Sequence, residues 1–179
     1  MDSHVLSLLD NGGACRNPCR ALELELALFE YQHGVLCFME AFYRHMESQL
    51  VRLTGDPQIS AQDCVILHAI RLGERSKTLA DIQHFTNRGD TPNIQYGVRK
   101  LIRAGLAKVA RKTSGRGTRY ELTARGRALT DEYIRSRQDF IAKIPMDQKA
   151  LVRDLKSATR LTLMLTGLYD HVSRTEAAL

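Results

Sequence analysis

The sequence predicts a mainly α-helical protein with a small β wing of two or three strands, a winged helix-turn-helix set between long terminal helices. Three observations carry that expectation. Residues 91–105, TPNIQYGVRKLIRAG, place Ile94, Val98, Leu101 and Ile102 at three- and four-residue spacing, hence on one helical face. Asn93, Gln95, Tyr96, Arg99, Lys100 and Arg103 take the opposite face. Just downstream, AKVAR and RYEL alternate around KTSGRGT, a loop whose two glycines reach backbone angles closed to most residues. Long apolar-striped helical patterns lie on both sides, over residues 20–54 and from Asp147 to about Val172.

The chain divides in order. Residues 1–19 are read as a flexible arm, because Asn11, Gly12, Gly13, Asn17 and Pro18 break helical patterns. Cys15 and Cys19 lie in it as a C-x3-C pair, a weak metal spacing with no second pair to complete it, so no metal or other cofactor is expected. Residues 20–54 form one helix, whose stripe of Leu22, Leu26, Phe29, Leu36, Met39, Phe42, Tyr43, Met46 and Leu50 is widened by Leu28, Tyr31, Val35 and Phe38. So broad an apolar surface needs several partners, and a second subunit is the expected one.

Residues 55–122 read as the winged domain. Gly55-Asp56-Pro57 breaks the chain, and Ser60 with Asp63 has the spacing of a capping box for a helix ending near Gly73. Thr78 with Asp81 repeats that signal for a short helix bearing Leu79, Ile82 and Phe85. TNRGD then turns into the 91–105 helix, with Thr91 as expected N-cap, Pro92 at the first helical position and Gly105 at the end. Residues 123–179 form two terminal helices separated at Pro145, the second capped by Asp147.

Composition sets the class. The 179 residues are 44% hydrophobic and 26% charged, an ordinary globular balance. The first ten residues carry acids and no basic run, and no apolar stretch approaches the roughly 18 residues of a membrane span, so a cytoplasmic chain with reduced thiols is expected. The net charge of +6 is unevenly placed: residues 99–127 hold ten Lys or Arg and only Glu121 as an acid, which leaves the remainder net negative. Concentrated positive charge of this kind fits a phosphate-facing surface. No phosphate loop, H-E-x-x-H or G-x-S-x-G occurs, so an enzyme is not expected.

The order long helix, helix, helix-turn-helix, wing, two long helices resembles the MarR (multiple antibiotic resistance regulator) family of transcriptional regulators. The residues that carry the resemblance are 78–85, the helix ending KLIRAGL, and RYELTARGRAL at 119–129, in which Leu122-Thr123-Ala124-Arg125-Gly126 matches the family's L-T-x-x-G restart after the wing. It implies a homodimer on pseudo-palindromic double-stranded DNA, with the 91–105 helix in the major groove, wing 111–119 at the minor groove, and a small aromatic or phenolic effector. Side-chain chemistry agrees. Asn93 and Gln95 can pair with adenine edges, and Arg99 or Arg103 with guanine. Thr91, with Pro92 beside it, and Tyr96 can meet phosphates. Arg116, between two glycines, can reach a narrow minor groove, while Lys112 and Arg119 read as phosphate anchors.

Some family members respond instead to thiol oxidation. His33 and Cys37 lie four apart, where a protonated histidine would activate the thiol; the plainer reading is a packed cysteine beside a satisfied histidine. A ligand pocket, if present, is expected near Cys37, Tyr43 and Cys64. A third possibility is a winged domain used only for protein contacts.

Overall fold

The computed structural model describes residues 18–110 and 117–176, without the side chains of Pro18, Cys19 and Glu74. The arm with Cys15, and the wing tip with Lys112 and Arg116, lie outside the described residues. The elements are α1 (Pro18–Thr54), α2 (Ala61–Arg71), a 3-10 turn (Leu72–Glu74), β1 (Lys77–Thr78), α3 (Leu79–Thr86), α4 (Thr91–Arg103), β2 (Ala107–Val109), β3 (Arg119–Leu122), α5 (Ala124–Ala142) and α6 (Gln148–Glu176). Two compact units emerge, one up to Tyr133 and one from Ile134.

The caps fall where the sequence puts them. Ser60 and Asp63 form a reciprocal capping box on α2, as do Thr78 and Asp81 on α3. Asp147 accepts from the backbone of Lys149 and Ala150 to start α6. Four boundaries differ from the sequence reading. α1 begins at Pro18, which the arm reading treats as a breaker, because proline lacks only an N–H that a first helical turn leaves free anyway. α4 stops at Arg103, two residues short of Gly105. α6 runs on to Glu176 rather than stopping near Val172. The fourth difference, at the start of α4, bears on the site and is described below.

The sheet is antiparallel with order β1-β3-β2; Ala107 pairs Leu122, Val109 pairs Tyr120, and Lys77 pairs Tyr120 on the other edge. β1 is only two residues long, too short for alternation to announce it.

The core of the first unit is built from α2 and α4. Cys64, Ile66, Leu67 and Ile70 of α2 meet Ile94, Val98 and Leu101 of α4, with Ile82, Leu106 and Leu122 closing the edges. Each such side chain contributes about 2 kcal/mol by leaving water. The same core takes in Met46 and Leu50 near the end of α1, and Leu129 and Tyr133 of α5. It therefore draws on side chains from α1 through α5. Of the apolar residues on α3, Ile82 is buried whereas Phe85 is 46% exposed.

Candidate nucleic-acid interface

α4 is fastened to α2 along its buried face, and Gly97 shows how closely. A Cβ added there would lie 2.6 Å from Ile66 Cδ1 and 3.0 Å from Asp63 Oδ1. The approach accounts for a glycine inside a helix, where it costs about 1 kcal/mol relative to alanine. Asp63 is itself buried. It accepts from the Ser60 backbone N–H and hydroxyl, both at 2.8 Å, and forms an ion pair with Lys100, whose Nζ also donates to the Gln58 carbonyl at 2.8 Å. Lys100 is thereby a fastening of α4 rather than a free cation.

The outward face keeps Pro92, Asn93, Gln95, Tyr96, Arg99 and Arg103 exposed. Lys100 Nζ and Arg103 Cζ sit 5.8 and 5.9 Å from the Tyr96 ring centroid, within cation–π range. Tyr96, Arg99, Ile102 and Arg103 line a shallow hollow on that face. The helix closes with a Schellman arrangement: Leu106 N–H reaches Leu101 O at 2.9 Å, Gly105 N–H reaches Ile102 O at 3.0 Å, and Gly105 takes φ of 70°.

At the start of α4 the N-cap is Asp90, not Thr91. The Asp90 carbonyl accepts the backbone N–H groups of Asn93 and Ile94, so Thr91 and Pro92 are already inside the helix. Thr91 is half-buried and its hydroxyl accepts from Gln83 Nε2 at 2.7 Å, tying α4 to α3. The Asp90 carboxylate is held from two sides. Arg88 donates from Nε to Oδ1 at 2.9 Å and from Nη2 to Oδ2 at 2.5 Å, and Asn93 Nδ2 donates to Oδ2 at 3.0 Å. These bonds favour the ionised form, Arg88 most, and hold the Asp90 carboxyl at about 2. The same bond raises the Arg88 guanidinium above its usual range. The sequence reading did not single out this network; its signal was an acid and an asparagine three apart across a helix start.

The wing base is fixed from β3. Arg119, predicted as a phosphate anchor, is half-buried and donates to the Ser76 hydroxyl at 3.0 Å and carbonyl at 2.6 Å, with Asp81 at 3.9 Å. It joins β3 to the segment before β1. The Thr78 N–H and hydroxyl, in that order, hold the Asp81 carboxyl below its usual range. Lys108 and Glu121 pair across β2 and β3 at 3.1 Å. Beyond Leu122, the Thr123 hydroxyl donates to Gly105 O at 2.7 Å and accepts the Gly126 N–H at 3.0 Å, starting α5 against the end of α4.

The remaining candidates separate. His33 and Cys37 are both exposed on α1, with Cys37 Sγ 3.6 Å from His33 Nε2. Cys64 lies in the core at 1% exposure, where burial first and the charge of Asp63 second push its thiol up to about 12. It is a protonated packing residue, so it does not join Cys37. Tyr43 is half-buried against the core. A pocket of about 230 Å³ is lined by Leu53, Thr54, Leu106, Arg125, Ala128, Leu129 and Glu132. Among the described residues, no three His, Cys, Asp or Glu side chains converge to hold a metal ion, and no helix is long and apolar enough to cross a membrane.

With this geometry in place, the comparisons fall on the same region. Residues 59–126 match the family described as winged helix DNA-binding domain. Solved structures align over most of the chain. FabT of Streptococcus pneumoniae, solved in complex with DNA, is 20% identical with a TM-score of 0.60, covering 77% of this chain and 99% of its own. The chain has the MarR-type winged helix fold. AbfR of Staphylococcus epidermidis is 14% identical with a TM-score of 0.67, covering 85% and 99%. The MarR protein of Staphylococcus aureus, solved with salicylate and kanamycin, is 18% identical with a TM-score of 0.62, covering 82% and 97%. A comparison with curated protein sequences finds no match. In MarR-type terms, α3 and α4 are the helix-turn-helix and β2 and β3 the wing.

Proposed function

We propose that this protein is a homodimeric, sequence-specific regulator of transcription that inserts α4 into the major groove of a pseudo-palindromic operator. The observation that carries the reading is the outer face of α4. Asn93, Gln95, Arg99 and Arg103 are exposed together on a helix whose inner face is locked to the core, inside a winged helix DNA-binding domain. Amide and guanidinium groups on a rigid helix are the chemistry that reads base edges. The excess of cations over residues 99–127 supplies the phosphate attraction, and the wing carrying Lys112 and Arg116 lies within it. The DNA in the FabT complex supports this choice of partner.

Dimerisation is supported by apolar surface in each unit taken by itself. α1 leaves Leu22, Leu26, Phe29, Leu36 and Phe38 exposed, and α6 buries none of its residues while carrying Val152, Leu155, Leu161, Leu163 and Met164 outward. Surface of that extent belongs in an interface. For a small effector, the pocket lined by the end of α1, Leu106 and the first turns of α5 sets Leu53, Leu106 and Leu129 beside Arg125 and Glu132, an apolar wall with one cation and one acid that suits a small aromatic molecule. The salicylate bound by the S. aureus protein is a ligand of that class. A second reading, control through oxidation, is favoured by the exposed Cys37 thiol beside His33.

Selection of bound sequences from a random duplex pool, at near-physiological salt, tests the proposal. Enrichment of a roughly palindromic site is the expected result. Salt-sensitive binding without enrichment overturns sequence reading, and absence of binding moves the weight to a protein-contact module.

A further inference from the structure

We infer that Asp90 is a positioning residue for base reading: its carboxylate orients the Asn93 side-chain amide so that α4 selects adenine at one operator position and rejects guanine. The inference rests on the operator reading above. A carboxylate can only accept hydrogen bonds, so the atom of Asn93 that lies 3.0 Å from Asp90 Oδ2 must be the NH2 group. That settles which way the amide points. Nδ2 is turned back toward the helix start, while Oδ1 and the second N–H remain for an outside partner on an exposed residue. One acceptor and one donor side by side complement the N6 amino group and N7 of adenine. Guanine shows two acceptors at the same edge, N7 and O6, and leaves Oδ1 facing another oxygen.

The carboxylate is itself immobilised. Arg88 grips both of its oxygens, at 2.9 and 2.5 Å, so the Asn93 amide is aimed by a group that does not rotate freely. The Asp90 side chain makes no hydrogen bond to the helix backbone, whose first N–H groups are taken by the Asp90 carbonyl. Its carboxylate is thus unused by the helix cap and is spent on the side chain three residues on. Arg88 also offsets a negative charge that would otherwise face the DNA phosphates.

The test uses the full chain and the operator obtained by selection, with single base changes at each position. Asp90→Ala, Asn93→Ala, the double variant and Arg88→Ala are compared by competition binding. Asn93→Ala identifies its base pair by losing preference there. Asp90→Ala is expected to lose the preference at that same pair, by roughly tenfold in discrimination, the order of one bidentate base contact. It should not weaken, and should modestly strengthen, overall affinity, with a salt dependence steeper by about one ion as Arg88 becomes available to a phosphate. The double variant should show no further loss at that pair. Arg88→Ala should lose less of the preference than Asp90→Ala, because Asp90 still accepts from Asn93 but is no longer gripped; an equal loss in the two variants marks a general disturbance of the turn and overturns the inference. Asp90→Ser, a good helix cap too short to hold the amide, replaces the alanine variant if that one unfolds. Retention of wild-type preference at the Asn93 pair by the Asp90 variant overturns the inference alone. A wild type with no preference at any position overturns the operator reading, and this inference with it.

Discussion

Gly126→Ala is a sharp test of how α5 is joined to the winged domain. Gly126 sits in the first turn of α5, directly over the chain leaving α4. An alanine Cβ there would run into the Leu106 carbonyl oxygen, and would lie 2.9 Å from its carbon and 3.3 Å from Leu106 Cα. These are backbone atoms, so no rotamer change relieves the overlap and the start of α5 must withdraw. Withdrawal breaks the Thr123 N–H bond to Leu106 O at 3.1 Å and the Thr123 hydroxyl bond to Gly105 O at 2.7 Å. Each is worth about 1 kcal/mol. Loosened packing of Leu106 and Leu129 adds about 1 to 2 kcal/mol, and alanine returns about 1 kcal/mol of helix propensity. The net loss is about 2 to 3 kcal/mol. With a urea m-value of about 2 kcal/mol/M, the unfolding midpoint should fall by about 1 M. Gly34→Ala is the control: its Cβ meets nothing within 4 Å, so it should stabilise α1 by up to about 1 kcal/mol. A Gly126→Ala protein at or above wild-type stability would refute the account of this junction.

Other expectations follow from the same geometry. Lys100→Ala strips the buried Asp63 carboxylate of its ion pair and should cost about 2 to 3 kcal/mol in urea unfolding, whereas Arg99→Ala and Arg103→Ala should leave stability within about 0.5 kcal/mol and weaken DNA binding. Equal stability of all three variants would contradict the separate role given to Lys100. The Asp90 carboxyl, held at about 2, contributes stability that is present above its unfolded value of about 4 and fades as the pH falls through about 2; carbon NMR titration of Asp90 should place its midpoint there. Cys64, pushed up to about 12, stays protonated when folded, so stability should decline as the pH rises past about 9, where the unfolded thiol ionises. Thiol labelling at pH 8, mapped by mass spectrometry, should modify Cys37 at once and Cys64 only at the rate of unfolding. Prompt labelling of Cys64 would show that the core opens there.

Much of the scaffold was legible because its signals are local. Capping boxes need only residues three apart, and Ser60 with Asp63 and Thr78 with Asp81 formed as read. The three- and four-residue spacing of Ile94, Val98 and Leu101 likewise announced the buried face of α4. What stayed hidden depends on partners distant in the chain. Nothing near Gly97 says that Ile66 will press against it, and nothing near Arg119 says that Ser76 will occupy it. The same holds for the site: the exposed face of α4 could be read from periodicity, but the engagement of Lys100 could not, since Asp63 lies 37 positions away. The hollow lined by Leu53, Arg125 and Leu129 was not read for a related reason. Its wall joins the ends of α1 and α5 with the turn after α4, and no single helical pattern contains it.

The Asp63 carboxylate has a mechanical consequence. One side chain starts α2, pairs with Lys100, and lies under Gly97. Within the wider packing of α2 on α4, Asp63 is thus the point at which a tilt of α4 would disturb the cap of its neighbour. A displacement of α4 would therefore drag the start of α2 with it, so the two helices behave as one lever rather than two.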